Sequence, residues 1–200
     1  TKQCIRFLRV VFLMRERVRL YSTSAKHWQR TVKRVILLDA DLRKSVLYNR
    51  CMPDQEVKGL SHYLAGFVPL NDVICKTNIK NMYMAFAGLN APNPAELLGN
   101  PKFKAAIEAM KKSFNYIIVD CAPIGAVIDA AVVAKSVDGM VMVIEQKKVS
   151  RRMAQKMKEQ LEASGCPLLG VVLNKVKISE NKSYGGYGQY YGHYGKYGEY

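Results

Sequence analysis

Three aspartates and an arginine carry the chemistry that can be read first. Asp39 and Asp41 lie in the stretch "RVILLDADLRKS" (34–45), Arg43 follows them, and Asp120 closes "NYIIVD" (115–120). Hard oxygen ligands at a strand end suit magnesium, which keeps several waters and binds through one or two carboxylates plus phosphate oxygens. An aspartate closing a second apolar strand beside the first is the arrangement that positions such an ion through water. One strand-end aspartate alone is ordinary turn chemistry. Three of them on two strands, with Arg43 adjacent, point to a phosphate–magnesium site. Asn174 ends another apolar run, "VVLNKV" (171–176). An amide there can read a base edge by donating and accepting together, and it can equally be a turn asparagine. His62 and Trp28 have no partners that suggest catalysis, and His62 reads as a helix-surface residue. Met82, Met84 and Met142 read as core filler.

The elements that must position these residues follow from hydrophobic patterning. From Val35 onward, short apolar runs alternate with helical patterns. The runs are "VILLDA" (35–40), "MYMAFAG" (82–88), "YIIVDCA" (116–122), "GMVMVIE" (139–145) and "LLGVVLN" (168–174). Helices are predicted near 56–65, 94–98, 101–113, 127–136 and 149–164. Continuous rather than alternating apolar strands, separated by helices, indicate a mostly parallel sheet covered on both faces. The fold class is therefore α/β, doubly wound, and ligands in such folds bind beyond the carboxyl ends of the strands.

Three stretches divide the chain: 1–32, 33–178 and 179–200. With 49% apolar residues, the 200-residue chain has the composition of one globular domain. It contains no apolar run of the roughly 18 residues that a membrane helix needs. Arginines interrupt the apolar runs of the first segment, which does not fit a secretory signal. The five cysteines are scattered, with no CxxC pair, and read as reduced, mostly buried thiols of a cytosolic protein. The net charge of +15 invites an anionic partner, but ten of the first thirty-four residues are Lys or Arg against the single acid Glu16. The remainder is only mildly basic. Residues 184–200, "YGGYGQYYGHYGKYGEY", form a Gly/Tyr repeat with no aliphatic residue to pack, for which a disordered tail is predicted.

"VILLDADLRKS", "KGLSHYLAG" (58–66), "NPAELLGNPKF" (93–103), "YIIVDCAPIGAVIDAAVVAKSVDGMVMVIE" (116–145), "SGCPLLGVVLNKV" (164–176) and the terminal tyrosines together closely resemble the bacterial tyrosine kinases (BY-kinases). These are autokinases of capsule and exopolysaccharide export, within the deviant-Walker P-loop ATPases. The resemblance runs from about Lys33 to the C-terminus. It implies a P-loop-type α/β domain that binds ATP and Mg2+. It assigns Asp39, Asp41 and Arg43 to the second Walker motif and Asp120 to Walker B. It makes Tyr184, Tyr187, Tyr190, Tyr191, Tyr194, Tyr197 and Tyr200 the phosphorylated cluster. It also implies a homo-oligomeric ring, a membrane-anchored activator, fused or separate, and a place at the inner face of the cell membrane. Nucleic acid is not an expected partner. Two rivals are a partition- or MinD-type ATPase, for which a tyrosine tail has no use, and a basic nucleic-acid-binding protein with an aromatic tail for stacking.

The family pattern breaks in residues 1–32. The resemblance calls for a phosphate loop of the GxGK[ST] kind opening a helix, yet no glycine precedes Gly59. This segment reads as translated out of frame. Let each codon take the third base of one triplet and the first two of the next. Trp28–Gln29 then gives alanine, and Met14–Arg15 gives glutamate or alanine. Allowed choices from Leu8 to Leu20 include Thr-Ser-Ser-Val-Pro-Asn-Glu-Gly-Glu-Gly-Lys-Thr, a phosphate loop of this family. Those from Lys26 to Lys33 include Ala-Leu-Ala-Glu-Asn-Gly-Lys, the end of the helix after it. "CIRFLRVVFL" (4–13) is still apolar enough to form a strand. Catalysis is expected to be impaired, because a loop's backbone donors and lysine hold the phosphates.

Overall fold

The computed structural model of the protein describes residues 8–13, 33–51, 57–122 and 127–176. Strands β1 (Leu8–Leu13), β2 (Val35–Asp39), β3 (Cys75–Lys76), β4 (Met82–Ala85), β5 (Tyr116–Cys121), β6 (Gly139–Glu145) and β7 (Leu168–Asn174) form one seven-stranded sheet. Their order is β3-β4-β2-β5-β1-β6-β7. Every neighbouring pair is parallel except β3 with β4. Parallel neighbours need crossovers, which the helices supply. These are α1 (Leu47–Cys51), α2 (Leu60–Ala65), α3 (Pro94–Gly99), α4 (Pro101–Ser113), α5 (Val127–Ala134) and α6 (Arg151–Glu162). The α/β parallel sheet expected from the apolar runs is the one observed. The stretch Leu8–Leu13, expected only to be capable of a strand, takes the central place between β5 and β6.

Alternation along the strands divides the core between the two faces. Ile36 and Leu38 of β2, Ile117 and Val119 of β5 and Met140 and Met142 of β6 face the larger cluster, which α2 to α6 complete. Leu37 of β2 faces a smaller cluster with Leu47, Met84 and Phe86. Helix α4 shows how sequence sets this packing. Pro101 starts it and the Asn100 side chain accepts the Lys102 amide at 2.9 Å, satisfying an otherwise orphan donor. Phe103, Ala106, Ile107 and Met110 then fall on one face and are buried. Burying Phe103 fully contributes about 2–3 kcal/mol. Edge strand β7 departs from the two-sided pattern: Leu169, Val171 and Leu173 remain about half exposed on one face.

Other departures have local causes. The helix predicted near 56–65 begins at Leu60, because Gly59 is extended and its amide donates to Nδ1 of His62 at 3.1 Å. His62 is therefore a half-buried cap acceptor, not a bare surface residue. The strand read through 82–88 stops at Ala85, since the Phe86 and Ala87 carbonyls turn to accept the Leu60 and Ser61 amides at 2.7 and 2.8 Å. The short elements α1, β3 and a 3-10 turn at Leu70–Val73 carry too few residues for a period to show. Among the described residues, no helix is long and apolar enough to cross a membrane.

Candidate functional site

Strands β2 and β5 run side by side with Asp39 opposite Asp120. Both aspartates are fully buried at the carboxyl end of the sheet. Alternation places them on the face of the smaller core cluster, opposite Leu38 and Val119. Adjacent strands lie about 4.8 Å apart, so the two carboxylates belong to one site. The Ala40 amide donates to the Asp120 carbonyl at 2.7 Å and carries the pairing one residue beyond β2.

The loop that follows is folded by its own aspartates. Asp39 Oδ1 accepts the Asp41 amide at 3.1 Å, and Asp39 Oδ2 accepts the Ser45 hydroxyl. Asp41 Oδ1 accepts the amides of Arg43 and Lys44 at 3.2 and 3.1 Å. Short acidic side chains that bond the backbone two residues on are what make such turns. Asp41 is buried as a result. The Leu42 carbonyl accepts the Ala91 amide at 2.9 Å, which ties this loop to the one after β4.

Arg43 does not turn back onto Asp39 or Asp120. Its Nε donates to Oδ2 of Asp129 at 2.6 Å and its Nη2 to Oδ1 at 3.0 Å. Asp129 lies in the first turn of α5, the helix over the larger core face, and its side chain is buried. The Asp129 carboxylate, by hydrogen bond first and charge second, holds the Arg43 pKa above its ordinary value. Burial and the charge of Asp39 push up the thiol pKa of Cys51, at the end of α1.

Asn174 stands at the far edge, four strands from β2. That is roughly 19 Å at ordinary strand spacing. Its carbonyl accepts the Gln146 amide at 3.0 Å and its side-chain oxygen accepts the Lys175 amide at 2.9 Å, so it closes the β6–β7 end. Asp39, Asp41 and Asp120 are thus together, Arg43 is beside them but committed to Asp129, and Asn174 is separate. Tyr184, Tyr187, Tyr190, Tyr191, Tyr194, Tyr197 and Tyr200 lie outside the described residues. Sequence reasoning missed Asp129 and Ser45. An acid at the start of the helical pattern 127–136 was the signal available for Asp129.

Among the described residues, no three His, Cys, Asp or Glu groups converge tightly enough to hold a bare metal ion. Magnesium takes one or two carboxylates and completes its shell with water and phosphate. Paired buried carboxylates at adjacent register positions are also the donor set that a hard divalent ion offsets.

No family model matches the chain. It is 42% identical over 161 residues to the tyrosine-protein kinase CpsD of Streptococcus pneumoniae, covering 80% of this chain and 70% of that protein. It is 44% identical over 146 residues to CpsD of Streptococcus agalactiae, covering 73% of this chain but 64% of that protein's length. The solved kinase domain of the Escherichia coli tyrosine kinase ETK superposes with a TM-score of 0.77 at 28% identity, over 84% of this chain and 68% of that one. With that fold, those strand-end aspartates and those relatives, the chain belongs to the family of bacterial tyrosine-protein kinases of the CpsD type.

Proposed function

We propose that this chain is the α/β catalytic region of an ATP-dependent protein-tyrosine kinase serving capsule or exopolysaccharide synthesis, and that its catalysis is impaired as the sequence stands. The observation that carries the reading is the register of Asp39 against Asp120 at the carboxyl ends of neighbouring parallel strands. Asp39 and Asp120 are the residues that would hold Mg2+ with ATP phosphate oxygens, with Asp41 beside them as a catalytic candidate. The bound ion would supply charge stabilisation to the transferring phosphoryl group. The chain's own part is placement: hydrogen bonds fix Asp39 and Asp41, and burial of Asp120 limits competing water. Asn174 would face the nucleotide base across the sheet end.

Impairment follows from what comes after β1. Met14 to Val32 contain no glycine, the residue that lets backbone donors close into a tight phosphate nest without steric cost. Arg17 and Arg19 would add charge, but not the backbone donors that glycines permit. Phosphoryl transfer rests on positioning and electrostatics, so losing the cradle removes most of the rate. The partners fitting this reading are further copies of the chain in a ring and a membrane-anchored activator that brings it to the inner membrane face. The substrates are Tyr184 to Tyr200.

Labelled ATP tests the reading. The purified chain alone should not label itself, whereas an intact relative with its activator should label Tyr184 to Tyr200 in trans. Strong self-labelling would refute the impairment, and no labelling in trans would refute the substrate role. Isothermal titration should give Mg–ATP affinity far weaker than micromolar. The gene across codons 1–34 should hold a glycine-rich loop in the neighbouring frame, and its absence there would end the frameshift account.

A further inference from the structure

An arginine two residues beyond a buried carboxylate has an obvious place to go. Arg43 follows Asp41, whose charge acts on it, and a flexible guanidinium within reach of a carboxylate pairs with it readily. A collapsed Arg43 would set a fixed positive charge among the groups that a divalent cation needs. The structure instead shows a side-on, two-bond pair at 2.6 and 3.0 Å with Asp129, reaching 86 residues along the chain. The pair is asymmetric: 47% of the Arg43 side chain is exposed but only 2% of Asp129. A buried carboxylate pinned in a helix's first turn is the fixed member, and the flexible arginine comes to it. Asp129 also approaches from the larger core face, whereas Asp39 and Asp120 point to the other.

We infer that Asp129 is the positioning residue of this site: it captures the Arg43 guanidinium side-on and keeps it off Asp41 and the strand-end carboxylates, so that Arg43 does not compete with a divalent cation for them. The inference rests on the metal-site reading given above. It assigns Asp129 no contact with substrate. It also makes Arg43 a competitor of the cation whenever Asp129 is lost, a sign opposite to that of a simple structural clamp.

The test uses the full chain, Mn2+ alone as the probe, and two-dimensional 1H–15N NMR. In the wild type, Mn2+ should broaden the amides of Asp41, Leu42 and Cys121, and Asp120→Asn should abolish this. A locked Arg43 should give a sharp Nε–H resonance. Asp129→Asn should lose that resonance and need about tenfold more Mn2+ for equal broadening, the low end of what a nearby charge does to a carboxylate's affinity for protons. The double variant Asp129→Asn/Arg43→Gln should recover wild-type broadening. Equal broadening in Asp129→Asn and wild type would overturn the inference, as would failure of the double variant to recover. If Asp129→Asn does not fold, judged by the amides of α4, Arg43→Gln decides: it should bind Mn2+ at least as well as the wild type, and a tenfold loss would show a structural clamp. Absence of wild-type broadening sensitive to Asp120→Asn would overturn the metal-site reading itself, and the inference with it.

Discussion

Cys51 sits where it can report the charge on Asp39. The residue is exposed as a whole, but its sulfur lies 3.9 Å from that of Met84 and is partly desolvated, so its pKa is raised, by that desolvation first and by Asp39 second. Because the thiolate is the nucleophile, a raised pKa lowers its fraction near neutrality. Cys51 should therefore alkylate more slowly than a free thiol at neutral pH, with a rate that climbs as pH rises. Asp39→Asn should speed the reaction at fixed neutral pH, by less than about tenfold, since tenfold corresponds to a full pKa unit. Site-resolved mass spectrometry of iodoacetamide labelling measures this; no change in Asp39→Asn would show that the carboxylate does not act on the thiol. The Arg43–Asp129 pair makes a separate prediction for stability. Arg43→Ala leaves a buried carboxylate without its guanidinium and should cost roughly 2 kcal/mol, the usual buried-pair penalty discounted for Arg43's exposure. The neutral double variant Asp129→Asn/Arg43→Gln should cost less, and urea midpoints compare the two. Asp39, Asp41 and Asp120 were legible in the sequence because each interrupts an apolar run. Asp129 was not, because an acid opening "VIDAAVVA" looks like ordinary helix-start chemistry and its partner is remote in sequence.

The same contrast between local and remote causes governs the elements. The five apolar runs from Val35 onward were legible as strands because burial on a parallel sheet demands several consecutive apolar residues. Their ends were less so, since "MYMAFAG" is apolar past the point where pairing stops. What stops it is a backbone crossing between Gly59, just before α2, and Gly88, beyond β4. A Cβ on Gly59 would stand 2.2 Å from the Gly88 amide nitrogen and 2.3 Å from its Cα. Gly88 has φ near 85°, and a Cβ there would meet Ser61 Oγ at 2.5 Å. No side chain fits between two backbones at that distance, and backbone cannot yield as a side-chain tip does. Gly59→Ala should therefore destabilise the protein by about 3 kcal/mol, the upper end of overpacking costs, which lowers Tm by roughly 6–12 °C for a chain of this size. Calorimetry checks this, and a shift under about 2 °C would mean that the crossing can open without cost. The crossing depends on two glycines far apart in sequence, which no hydrophobic period records.

Charge is the property that acts across the whole molecule. The chain carries a formal +15 at pH 7, much of it before Val35, while seven tyrosines lie in its last seventeen residues. Each phosphotyrosine adds about −1.5 to −2 at neutral pH. Full modification of the tail would therefore add roughly −10 to −14, close to cancelling the net charge of the chain. Two consequences oppose one another. Modified tails repel each other and the Asp39–Asp41–Asp120 region of a neighbouring copy, and they are attracted to its basic N-terminal stretch. Repulsion should win wherever the tail meets the proposed site at Asp39 and Asp120, because that approach brings phosphate to carboxylate at contact distance. The attraction to the basic stretch acts at longer range and is screened within about 8 Å at physiological salt. We therefore expect phosphorylation by an intact relative to weaken self-association. Sedimentation velocity on the unmodified and fully modified chain, at low and physiological salt, measures it. The modified chain should sediment as the smaller species, with the difference greatest at low salt. A modified chain that associates more strongly, and loses that association as salt rises, would show that the tail instead binds the basic N-terminal stretch of its neighbour.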